Sequence, residues 1–222
     1  MNFIEILRLL SLLTPIILTV GVGIGGYFYK YLDITHKSMT YYMLVMLIVD
    51  TASWIVGAYG NNHIVLLLYS LIEMILFTVF YFKYFFNASH KLIVILSFLA
   101  GSYIFYEIMI FSSIELTQFQ SYAKVIDDFI IIILTLTFFH EKINIYKESK
   151  WNNFKINAIL LVYFSVNLIF FLPYNFLINE SSGLKHYFWI GIVIITVLFY
   201  SYLTHSIWKN GRTRKLLPSG SR

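Results

Sequence analysis

Cysteine is absent from the 222 residues, and charged side chains make up only 12% of them. Without cysteine there is no disulfide framework, no thiolate zinc site and no cysteine nucleophile. An average soluble domain is about 25% charged, so a chain that is 59% hydrophobic and 19% aromatic is not a soluble globular protein. The same balance excludes disorder, which needs low hydrophobicity and high net charge. The composition is that of an integral membrane protein. Its length allows one domain, expected over residues 1–216, with 217–222 (Leu-Pro-Ser-Gly-Ser-Arg) as an appended tail.

A bilayer core of about 30 Å takes about 20 apolar residues in a helix rising 1.5 Å per residue. Seven such runs are expected, at Leu9–Tyr29, Thr40–Tyr59, Ile64–Phe86, Leu92–Phe111, Tyr122–Phe139, Ile156–Ile178 and Tyr187–Trp208. They are continuous and lack period-2 alternation, which excludes a transmembrane β-barrel and leaves an all-α seven-transmembrane-helix bundle. All but one of the connections are short, so successive helices are expected as antiparallel neighbours. The first run has neither a basic leader nor a small-residue cleavage site and reads as a retained helix.

Lysine and arginine set the expected orientation, because short cytoplasmic loops accumulate them. Thirteen of the sixteen fall on one side, among them Lys37, Lys83, Lys147, Lys150 and Lys209; Arg8 and Lys185 fall on the other, and Lys124 lies inside a span. The expected topology is N-terminus outside and C-terminus cytoplasmic, in a bacterial inner (plasma) membrane. This distribution also accounts for the net charge of +5, so no nucleic-acid partner is expected. Tyr29, Tyr41, Tyr59, Trp151, Trp189 and Trp208 near the run ends fit an interfacial aromatic belt.

Glycine clusters in the first run, where Gly21 and Gly25 form a small-xxx-small pair that lets another helix approach closely. Pro15 and Pro173 interrupt the first and sixth runs, each freeing a carbonyl one turn earlier. Tyr69–Tyr84 aligns without gaps on Tyr187–Tyr202, sharing Tyr69/Tyr187, Ile72/Ile190, Thr78/Thr196, Val79/Val197 and Tyr84/Tyr202. A one-residue shift brings Asp50 over Asn167. The expected architecture is therefore a 3+1+3 parallel repeat, in which two three-helix units flank a linking helix. In topology and in this repeat the chain resembles the small-sugar transporter and PQ-loop class, although it has no Pro-Gln dipeptide and Pro15 has no counterpart in span five. The resemblance implies a substrate site near the midplane between the halves.

Intramembrane acids are the most informative feature. Charge at the bilayer centre costs about 2.5–3.5 kcal/mol on insertion scales, so such groups turn inward and pair, or mark an ion pathway. Asp50 and Glu73 fall near the middle of adjacent spans and form a candidate site for a proton or sodium ion. In span five Lys124 precedes Asp127 by three residues and Asp128 by four, which puts all three on one face. Asp127, with Asn167 of span six, is the candidate contact for a small polar or cationic solute, supported by Lys124 and Asp128. Trp54 lies one turn after Asp50, and Tyr69 one turn before Glu73, as aromatic walls of the same candidate site.

Several chemistries are excluded by what the spans lack. A retinal pigment needs a lysine in mid-span seven, and residues 187–208 contain none. The eukaryotic G-protein-coupled receptor pattern fails as well, because span three ends Tyr81-Phe82-Lys83 and span seven has no Asn-Pro. The six histidines sit mostly at span ends without a His-Glu-x-x-His, which argues against zinc. Residue order leaves a Ser-His-Asp constellation open, with no nucleophile marked. No cofactor is expected. The leading expectation is a transporter or ion-coupled carrier. The alternatives are a seven-helix sensor that signals to a cytoplasmic protein partner, and an intramembrane lipid-modifying enzyme using an acid pair.

Overall fold

The computed structural model describes residues 3–60, 62–111, 120–144, 153–177 and 183–216. The expected connection at 112–119, the lysines at 147 and 150, Trp151 of the expected aromatic belt, and the expected tail at 217–222 lie outside the described residues. Among the described residues the chain is all helical. Its helices are α1 (Phe3–Phe28), α2 (Ile34–Tyr59), α3 (His63–Phe80) with a π-helical turn at Tyr81–Phe85, α4 (Lys91–Ile110), α5 (Ala123–Asn144), α6 (Phe154–Leu177) and α7 (Leu184–Leu216).

Each expected run overlaps one of these helices: Tyr29, Phe86, Phe111 and Tyr122 fall just beyond the helix ends, α1, α2, α5 and α7 extend past the apolar stretches, and the expected end at Ile178 lies outside the described residues. Six of the helices are long and apolar enough to cross a membrane, the mark of an integral membrane protein. The helix outside that set is α5. Its 22 residues rise about 33 Å, enough for a bilayer core, but Lys124, Asp127, Asp128, Glu141 and Lys142 break its apolar run. Pro15 and Pro173 both lie inside continuous helices, and the Thr19 hydroxyl donates to the Pro15 carbonyl at 2.7 Å.

The chain divides into two compact units. One gathers α1, α2 as far as Ile55, and α7 from Val193. There the glycines of α1 are split by environment: a Cβ added at Gly21 would overlap Met43 of α2 and Thr204 of α7, and one at Gly25 would overlap Thr40, whereas Gly23 and Gly26 face open space. Met39, Tyr42, Met43 and Met46 of α2 are buried, and the Tyr42 ring meets those of Phe199 at 6.3 Å and Tyr200 at 6.2 Å.

The second unit runs from Val56 to Ile192, and in it α5 packs against α3, α4 and α6. Its apolar core includes Phe77 edge-on to Phe164 at 5.2 Å, with Ile104, Ile131, Leu134 and Leu160 buried. The π-helical turn aims Tyr81 inward, where its hydroxyl donates to Asn157 Oδ1 at 2.6 Å and lies 3.0 Å from Thr135 Oγ1. Ile48, Phe98, Ile169 and Leu198 are all more than 60% exposed. In a helix long enough to span a bilayer, such faces suit contact with lipid chains.

Candidate functional site: carboxylates around a buried lysine

Three helices of the second unit converge on one lysine. Lys124 sits on the first turn of α5, and its Nζ donates to Asp127 Oδ2 at 2.7 Å, lies 2.7 Å from Asp128 Oδ1, and donates to Glu73 Oε2 of α3. The helical repeat explains half of this arrangement, because residues three and four apart lie on one face of α5. The packing of α3 against α5 supplies the rest.

The network extends at both ends. Tyr69, one turn before Glu73, donates its hydroxyl to Glu73 Oε1 at 3.0 Å. The amide of Asn167 on α6 donates to both Asp128 oxygens, at 3.1 and 3.3 Å. The ammonium also lies 5.0 Å from the centre of the Tyr69 ring and 5.4 Å from that of Phe164, within cation–π range. Glu73, Asp127 and Asp128 are completely buried, Lys124 is 3% exposed and Asn167 1%.

Ligand atoms of Glu73, Asp127 and Asp128 all lie within 4.8 Å of one another, close enough to share a single cation. Two further acceptors belong to the same group: Asp127 Oδ1 and Asn167 Oδ1 are buried and accept no hydrogen bond from the protein. Three carboxylates face one ammonium. Charges this close and this buried are sustained only when nearly balanced, so the donor set suits a proton or a small cation beside Lys124.

Of the residues read from sequence, the structure gathers Tyr69, Glu73, Lys124, Asp127, Asp128 and Asn167 into one network. Asp50 and Trp54 belong to the other unit. Asp50 Oδ2 is buried without a hydrogen-bond partner, and the Trp54 side chain is 39% exposed. The role of Phe164 as a ring beside the ammonium had no signal in the sequence, because it lies among other aromatics on α6.

Two other helical acids hold connecting segments in place. Glu107 of α4 accepts from the Tyr122 backbone N–H at 3.2 Å and from the Ser121 hydroxyl, just ahead of α5. A carboxylate there satisfies N–H groups that the helix leaves open. Glu141, near the other end of α5, accepts from the backbone N–H groups of Asn87 and Ala88 at 3.0 and 3.1 Å and pairs with His90 at 2.6 Å. These donors satisfy both oxygens of the carboxylate.

Comparison with protein-family models, with curated proteins and with solved structures finds no match for this chain.

Proposed function

We propose that the protein is an ion-coupled membrane carrier whose coupling site is the carboxylate cluster around Lys124. The observation that carries this reading is the composition of the cluster across the two sequence halves. Glu73 comes from the first helix triplet, while Lys124, Asp127, Asp128 and Asn167 come from the last. In transporters built from repeats, the substrate and coupling ion sit where the repeats meet. With all four ionisable groups charged, the cluster would hold a net −2 in a site closed to solvent. A proton or sodium ion relieves that imbalance, and its uptake and release are the means of coupling. Asp127 and Asn167, each with an unpaired oxygen, are the contacts for a small polar or cationic solute. The seven-span topology, with the N-terminus outside and α5 as the fifth span, belongs to this proposal, as does a bacterial inner membrane.

Reconstitution in liposomes tests it. Proton and sodium fluxes are recorded under imposed gradients, with and without a panel of small polar and cationic solutes. The expected result is flux in the unmodified protein and its loss in Glu73→Gln and Asp127→Asn proteins that still fold, with Asp50→Asn measured alongside. Absence of flux under either gradient with every solute, in folded protein, overturns the carrier.

A second reading is favoured by α7. Its 33 residues extend about 50 Å, well beyond a core of about 30 Å. Lys209, Arg212, Arg214 and Lys215 lie on the overhanging turns. A continuous helix of this kind transmits displacement of a span to a cytoplasmic partner, as a sensor requires.

A further inference from the structure

A serine, a histidine and an aspartate that no sequence motif joins are linked in a row in the unit built on α1, α2 and α7. His36, on the first turn of α2, places Nδ1 2.7 Å from Asp33 Oδ1 and Nε2 3.0 Å from Ser206 Oγ of α7. Asp33 is itself fixed from two sides. Its Oδ1 accepts from the His36 backbone N–H at 2.9 Å, its Oδ2 accepts from Asn210 Nδ2 at 2.8 Å, and its own N–H donates to Asn210 Oδ1 at 3.2 Å.

The chemistry sets the direction of each proton. Burial opposes the charge on Asp33, but the bonds from His36 and Asn210 and the charge of the imidazole outweigh it and hold the carboxyl at about 2. An ionised carboxylate only accepts, so Nδ1 carries the hydrogen. In the neutral ring Nε2 is then the lone-pair nitrogen, and Ser206 donates its hydroxyl proton to it. Other helical hydroxyls here behave differently: Ser38, Thr40, Ser70 and Ser102 donate to the carbonyl one turn back, whereas Ser206 bonds to His36. A hydroxyl within reach of a base that a third group orients is the arrangement that activates a nucleophile.

We propose that Ser206 is a nucleophile, with His36 as its general base and Asp33 as the group that positions His36, acting on acyl esters presented at the membrane surface. The location supports the substrate class. Asp33 lies between two helices able to span, with Lys30 and Lys37 on either side of it in sequence, and Lys209 and Arg212 follow Ser206 on α7, so these residues mark a boundary of the membrane. Ester bonds of lipids occupy that depth.

The step balances within the site and water. Ser206 Oγ bonds to the ester carbonyl carbon, its proton passes to His36 Nε2, and the carbonyl–alkoxide bond breaks. The leaving alcohol takes that proton, and a water molecule then hydrolyses the acyl-serine by the same route.

The test uses the full chain in detergent micelles with a fluorophosphonate probe and p-nitrophenyl butyrate. Covalent labelling and ester turnover are expected in the unmodified protein, with both abolished in Ser206→Ala. General-base assistance is worth about 10²–10⁴-fold, so His36→Gly should fall by that order and recover when imidazole is added, which a merely structural role would not produce. Asp33→Asn should lower the labelling rate and Asp33→Glu restore part of it, because the bond to Nδ1 is what orients the imidazole. Asp33 is the charged group bonded to the imidazole, whereas Ser206 and Asn210 on α7 are uncharged. Equal labelling of unmodified and Ser206→Ala protein overturns the proposal, as does no labelling of folded protein at any pH. If Ser206→Ala does not fold, Ser206→Cys is alkylated with iodoacetamide with and without His36→Gly. A rate at least tenfold faster with His36 present supports the proposal, and equal rates overturn it.

Discussion

Lys124 shows at the scale of one residue how a buried charge depends on its neighbours. Its ammonium faces Glu73, Asp127 and Asp128, all completely buried. Replacing it by an apolar side chain of similar length would leave three carboxylates facing each other with no positive partner. Removing one member of a buried ion pair costs about 3–5 kcal/mol. Lys124→Met is therefore expected to lower the thermal unfolding midpoint in detergent by many degrees. Lys124→Met combined with Asp127→Asn and Asp128→Asn should recover most of that loss, because the amides remove two of the three negative charges while keeping shape. If the single and triple variants melt alike, the lysine is not the balancing charge of the cluster.

At the scale of the element, α1 offers a comparison within one helix. Gly25 is buried against Thr40 and Gly21 against Met43 and Thr204, whereas Gly23, on the opposite face, meets nothing within 4 Å. Close approach of helices through small residues is a main source of association within a membrane, where apolar burial adds little between helices. Gly25→Leu is expected to lower the unfolding midpoint and Gly23→Leu to leave it within about a degree or two, as surface substitutions do. Equal losses at both positions would show that glycine itself, rather than the contact, matters there. The small-residue pair was legible in the sequence because four-residue spacing alone puts Gly21 and Gly25 on one face. The same rule revealed Lys124, Asp127 and Asp128 as neighbours on α5. Helical spacing acts only within one helix, so it had no means of joining Glu73 to Lys124 or Asn167 to Asp128, which depend on how α3, α5 and α6 pack. Ser206 and His36 stand 170 positions apart. Of that set the sequence shows only the three-residue interval between Asp33 and His36, a spacing common at any helix start.

At the scale of the whole molecule, the polarity of α5 decides how the chain is threaded. Six helices qualify as spans on length and apolar content, and α5 misses because of its charges, three of which cluster with Glu73 inside the second unit. Once Lys124 is paired with Asp127, Asp128 and Glu73, the helix presents a net polarity far below its formal count of charged residues, and its length matches the bilayer core. If α5 crosses, the residues before and after it lie on opposite sides of the membrane. If it lies along the surface, they lie on the same side. The absence of native cysteine makes this directly measurable with single-cysteine proteins, since no background thiol reacts. Gln120→Cys precedes α5 and Lys155→Cys follows it at the start of α6, both at exposed positions. In intact cells a membrane-impermeant maleimide is expected to label Gln120→Cys, with Lys155→Cys reacting only after the membrane is permeabilised. Reaction of both from the same side would remove α5 from the spans. It would also put Lys124 and its carboxylates at the membrane surface, where they would no longer need one another to stay charged.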